Sequence, residues 1–178
     1  MSEKLKLATV WLGGCSGCHM SFLDLDERLL ELAARVDLVF SPLVDTKTPD
    51  FPPVDVTLVE GAVANEEHVE MLRLVRERSK VLVAFGDCAV TGNVSALRNA
   101  WPVQEVLDRA YRETPTVVRG VPSGAGVMPR LLPGVKPLHQ VVKVDLWLQG
   151  CPPGSDRIWE TLTALLEGRA PQLERRFG

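Results

Sequence analysis

Apolar runs of two different periods alternate along the chain. Residues 6 to 12, KLATVWL, form a β-branched and apolar run closed by Gly13 and Gly14, which predicts a buried strand. From Ser21 the period lengthens. Leu25, Leu29, Leu32, Ala33 and Val36 recur at i, i+4, i+7, i+8 and beyond, the stripe of an amphipathic helix. VDLVF (36 to 40) and VDVTLVE (54 to 60) predict a second and a third strand. Asn65 stands where a helix N-cap belongs, with Glu66 and Glu67 in the first turn, where the helix dipole favours acids. Val69, Leu72 and Val75 supply that helix's apolar side. KVLVAF (80 to 85) predicts a fourth strand, VQEVLDRAYRE (103 to 113) a helix, and VVKVDLWL (141 to 148) a fifth strand. A last helix carries Ile158, Leu162, Leu165 and Leu166, and Gly168 suits its C-cap.

Strands that are apolar throughout, alternating with helices, predict a parallel sheet covered by helices on both faces. A chain of 178 residues is expected to be one domain, 1–178, with a real hydrophobic core. There is no internal repeat. Residues 114 to 138 carry five prolines and four glycines in 25 positions, and predict a long functional or partner-binding loop.

Composition narrows the function classes. With 46% hydrophobic and 24% charged residues the chain is ordinary globular protein, and a net charge of −3 without a basic run argues against nucleic acid. MSEKLKLATV has no apolar core, cleavage site or twin arginine, so export is not signalled. No apolar stretch approaches the roughly 18 residues of a membrane span. The expectation is a cytoplasmic protein, in which four cysteines serve metal binding or catalysis rather than disulfides.

Those cysteines fall at corresponding places. Cys15 and Cys18 follow the first strand, Cys88 the fourth and Cys151 the fifth. In an open parallel sheet the carboxyl ends of the strands share one edge, where ligands bind. A flavodoxin-like strand order 2-1-3-4-5 would place the end of the third strand, Glu60-Gly61, in the middle of the thiols, and glycine there lets a bulky ligand approach the backbone. Four convergent thiolates suit zinc or a cubane iron–sulfur cluster. Zinc modules usually use two close pairs, whereas here one CxxC pair is joined by single cysteines 70 and 63 residues further on. Scattered ligands favour a cluster on a rigid scaffold; zinc, thiol redox chemistry and inert buried cysteines stay open.

GCSGCHMSFLD, VEGAV, GDCAVTGN and QGCPP, in this order and spacing, resemble the small subunit of [NiFe] hydrogenases, most of all the soluble bidirectional NAD-reducing type. The related quinone-reductase subunit of respiratory complex I has adjacent cysteines at the first position, where this chain has Cys15-Ser16-Gly17-Cys18. The resemblance implies a flavodoxin-like doubly wound five-stranded α/β fold in which Cys15, Cys18, Cys88 and Cys151 ligate one [4Fe–4S] cluster. It also implies partners: a large subunit holding the nickel–iron centre, and a diaphorase module whose iron–sulfur clusters and FMN pass electrons to NAD+, reversibly. No residue of this chain need break H–H. A complex I-like quinone reductase subunit and a stand-alone four-cysteine zinc domain are the alternatives.

Two departures limit the carry-over. Long periplasmic small subunits have further clusters in a C-terminal domain, whereas no cysteines are left over here, so a single cluster is expected. Those relatives have a glutamate two residues after the CxxC, where this chain has Met20. The first loop also lacks the serines and threonines of a flavodoxin phosphate cradle, so no flavin is expected there. Glu60 is expected to anchor nearby loop amides, and His19 to be an exposed first-turn histidine. His68 and His139 show no ligand spacing. Trp11, Trp101, Trp147 and Trp159 are expected to fill core or interface.

Overall fold

The computed structural model describes residues 4–44, 50–117, 120–124 and 126–172. Five parallel strands form one sheet: β1 (Leu5–Trp11), β2 (Val36–Phe40), β3 (Val54–Glu60), β5 (Ser79–Phe85) and β7 (Leu146–Leu148), in the order β2-β1-β3-β5-β7. Counting only these strands, the order is 2-1-3-4-5, as the flavodoxin-like reading expects. Side chains alternate across the central strands and build two cores. On one face Ala8, Val10, Leu12, Val59, Leu82 and Ala84 pack with Leu72 and Val75 of α3 (Glu66–Arg78). On the other, Leu7, Leu58, Val83 and Phe85 pack with Phe22, Leu25, Leu32, Ile158 and Leu162.

The second face is covered by α1 (Gly17–Leu23), α2 (Arg28–Arg35) and α6 (Ser155–Leu166). Buried polar side chains on the strands are paired. The Thr9 hydroxyl donates to Ser41 Oγ at 2.7 Å, and Thr57 and Ser79 share a bond of 2.6 Å.

Local signals hold where they were strong. Asn65 caps α3, its Oδ1 accepting from the His68 amide at 2.8 Å. The helix expected from residue 103 forms as α5 (Val103–Tyr111). Gly168 lies at φ +69°, and the amides of Gly168 and Arg169 donate to the Leu165 and Ala164 carbonyls, a Schellman closure of α6.

Three expectations need correction. The apolar stripe from Ser21 to Val36 is broken: α1 ends at Leu23, Asp26 at φ +49° turns the chain with Leu25 in the core, and α2 carries Leu29, Leu32 and Ala33 before Val36 opens β2. Of residues 141 to 148 only Leu146–Leu148 is strand; Val141, Val142 and Val144 are apolar because they pack under the first core after a 3-10 turn at Leu138–Gln140. The proline- and glycine-rich segment ends in a strand, β6 (Leu131–Lys136), antiparallel to β4 (Val63–Asn65). Asn99 stands in as a partner strand for β6, exchanging bonds of 2.9 and 2.7 Å with the Val135 carbonyl and amide. Residues 118, 119 and 125 of that segment lie outside the described residues.

Candidate metal centre

Each cysteine is placed by a strand end and the turn after it. Beyond β1 the chain crosses Gly13 and Gly14 to Cys15, and Ser16 at φ +65° opens α1, where Cys18 is the second residue. Beyond β5, Gly86 at φ +84° leads into the short helix α4 (Asp87–Thr91), which carries Cys88. Beyond β7, Gly150 at φ +140° precedes Cys151, whose peptide bond to Pro152 is cis. All four cysteines are free thiols; Cys18 is buried, Cys88 half-buried, and Cys15 and Cys151 exposed.

The turns are latched to one another. The first and third are joined by reciprocal 2.9 Å bonds between Gly13 and Ala62. Those after β5 and β7 are joined by Asp87 amide to Gly150 carbonyl at 2.9 Å and Gly150 amide to Asp87 Oδ1 at 2.8 Å. Ser21 Oγ donates to the Pro153 carbonyl at 2.6 Å and ties α1 to the chain past Cys151. Ser95 Oγ donates to the Gly13 carbonyl at 2.8 Å and ties the first turn to a 3-10 turn, Asn93–Ala100. Gly86 packs so close to α1 that a Cβ there would stand well within 3.0 Å of Cys18 Sγ. Only glycine leaves room for that thiol.

Glu60, at the end of β3, is 1% exposed. Its carboxylate accepts the Cys18 amide at 3.3 Å and the His19 amide at 2.9 Å, so it anchors the start of α1 as expected. His19 departs from expectation: it is buried, and its Nδ1 bonds to Glu60 Oε2. The reason is tertiary, since a carboxylate 41 residues further along draws the ring inward against Phe85. Among the described residues, His19 Nε2 has no partner. His68 is structural: its Nδ1 accepts the Ala64 amide at 3.2 Å, and burial holds its pKa below the usual value. Trp159 packs against the second core, whereas Trp11, Trp101 and Trp147 are 44 to 56% exposed.

The electrostatics show the thiols as one group. Burial pushes the Cys18 thiol well above the usual range, Glu60 adds to this, and Cys88, Cys15 and Cys151 follow. Burial also raises Cys88, against Ser95, which lowers it. Such thiols become ligands only when a bound cation compensates the thiolate charge. Yet among the described residues no three His, Cys, Asp or Glu side chains gather tightly enough for a single metal ion. The donor set, four thiols carried by three strand ends at one sheet edge, fits a group with several sulfur ligands.

One side-chain donor to a thiol was not legible in the sequence. Asn93 Nδ2 donates to Cys151 Sγ at 3.3 Å. The Gly17 amide also donates to Cys15 Sγ, at 3.4 Å.

Residues 15–165 match the profile of the family described as NADH ubiquinone oxidoreductase, 20 Kd subunit. The chain is 42% identical to one subunit of the F420-non-reducing hydrogenase of Methanothermobacter marburgensis over 97% of its own length, but spans only 57% of that relative. It is 43% identical to the delta subunit of the NAD-reducing hydrogenase HoxS of Cupriavidus necator, covering 93% of this chain and 80% of that one. A chain in a crystal structure of an NAD+-reducing [NiFe]-hydrogenase in the H2-reduced state superimposes with a TM-score of 0.93 at 42% identity, over 99% of this chain and 100% of that one.

Proposed function

The chain belongs to the family of the NADH ubiquinone oxidoreductase 20 Kd subunit, among its hydrogenase small subunits, and we propose that it is the electron-relay subunit of a cytoplasmic [NiFe] hydrogenase. Cys15, Cys18, Cys88 and Cys151 would hold one [4Fe–4S] cluster within a single domain. The observation that carries this reading is the convergence of four free thiols from three strand ends at one sheet edge. When bound, such a cluster supplies one-electron transfer, with a potential set by its surroundings.

The chain's own residues position that group. Latched turns fix the thiols to the sheet, so that little rearrangement accompanies a change in charge. Gly86 clears the space beside Cys18. Glu60 pins the first turn of α1 from within. Exposed Met20 and Leu23 on α1, and Val94 and Leu97 beyond α4, give the same elements an apolar outer surface. That surface suits a large subunit that carries the nickel–iron centre, in an obligate interface of roughly 2,000 Å² or more. A diaphorase module with iron–sulfur clusters and FMN would complete the path to NAD+. Among the described residues no helix is long and apolar enough to cross a membrane.

Metal analysis of the purified complex tests the reading: the expected cubane gives about four iron and four acid-labile sulfide per chain. One zinc without sulfide would overturn it in favour of a zinc domain. Cys88→Ala and Cys151→Ala should each degrade the cluster and stop H2-dependent NAD+ reduction. Full activity and an intact cubane signal in either would show the ligand set to be wrong. Purification with a membrane arm instead of a large subunit would assign the chain to quinone reduction.

A further inference from the structure

The thiols differ in their hydrogen bonding. Cys15 receives the Gly17 amide at 3.4 Å. The Ser95 hydroxyl has one proton, and at 2.8 Å the Gly13 carbonyl takes it, so this side chain is not a free donor to Cys88. Among the described residues, Cys151 is the thiol that receives a side-chain donor, the Asn93 carboxamide at 3.3 Å. Asn93, the first residue of the 3-10 turn, is held in an uncommon conformation, φ +36°, next to Gly92 at φ +89°. Its amide is fixed separately by Thr91 Oγ1 at 3.3 Å. Asparagine tolerates the left-handed region better than most residues, so the strained backbone and the aimed carboxamide are met by one side chain.

We infer that Asn93 is a positioning residue that raises the reduction potential of the group held by Cys151. An N–H aimed at a ligand sulfur stabilises the state with more negative charge on the sulfurs, which is the reduced one. The bond sits at an exposed thiol. The inference rests on the four-cysteine reading, so its test must separate the two.

The intact complex is titrated with redox mediators and followed by the cluster's paramagnetic signal, alongside iron and sulfide content. Asn93→Gly removes the carboxamide and relaxes the positive φ, so folding is not the variable. Asn93→Asp keeps the shape but places a charged acceptor against Cys151. At a fixed ambient potential, the Gly variant should show a reduced-to-oxidised ratio about three- to tenfold lower than the parent. A tenfold fall equals a 59 mV shift for a one-electron couple. The Asp variant should fall further. Unchanged midpoints in both variants, with full iron and sulfide, would overturn the inference and leave the relay reading intact. Loss of the cluster in both would also overturn it, making Asn93 a brace of the turn. A parent complex without iron and sulfide would instead refute the relay reading itself.

Discussion

Gly86→Ala is the substitution that separates a thiol held as a ligand from a thiol that merely lies nearby. Gly86 has φ +84° and ψ 165°, a region essentially reserved for glycine, and forcing alanine into it costs about 1–3 kcal/mol. The added methyl would stand within 3.0 Å of Cys18 Sγ, at least about half an ångström short of ordinary contact. Relieving such an overlap in a packed site costs about 1–3 kcal/mol more. A free thiol could escape by rotating about its one χ angle. A thiol bonded to iron cannot, so the variant should lose the cluster as well as stability.

Gly168→Ala is the control, since Gly168 has a similar positive φ of +69° but nothing within 4 Å of an added Cβ. It should cost only the backbone share, about 1–2 kcal/mol, and keep full iron. At roughly 2–4 °C per kcal/mol for a chain of this size, the control should lose a few degrees of Tm and Gly86→Ala roughly 5–20 °C. Both are read by anaerobic thermal unfolding of the complex, with iron and sulfide assayed on the same samples. If Gly86→Ala retains its iron and melts with the control, Cys18 is not clamped against Gly86 and the ligand geometry argued here is wrong.

What was legible in the sequence was what is decided locally or by period. Buried strands show as apolar runs because both faces of the sheet are covered. The Asn65 cap and the Gly168 closure each depend on residues within one turn. The thiols could be assigned to one edge because parallel strands put their carboxyl ends together. What was not legible depends on partners distant in the chain. β4 has three residues and no pattern of its own; it exists because β6 pairs with it. Val141, Val142 and Val144 read as strand because periodicity reports burial, and a packed loop is buried too. His19 has no local reason to be inside, and only Glu60 supplies one. Asn93 stands 58 residues from the sulfur it meets, so nothing around GDCAVTGN marks it as more than a turn residue.

Substitutions at two further positions test the scaffold. Glu60→Ala should leave the Cys18 and His19 amides and the His19 ring without their acceptor; at about 1–3 kcal/mol per stranded buried group, a loss of several kcal/mol is expected in denaturant unfolding. Glu60→Gln, which retains an acceptor oxygen, should lose less, and equal losses would show that the carboxylate does not anchor α1. Asp145 tests the rim below the sheet. Burial alone would raise its pKa, but the Leu82 amide at 2.9 Å and the Arg76 guanidinium together hold it below the ordinary 3.8. A carboxylate depressed on folding contributes stability that is fully present above its unfolded pKa and is lost as pH falls through the folded one. The difference in urea midpoint between metal-free parent and Asp145→Asn should therefore stay level from pH 7 to about 5 and shrink below about pH 4. A difference that persists unchanged at pH 3 would mean that Asp145 acts through shape alone, and that its charge contributes nothing to holding the end of α3 against the loop before β7.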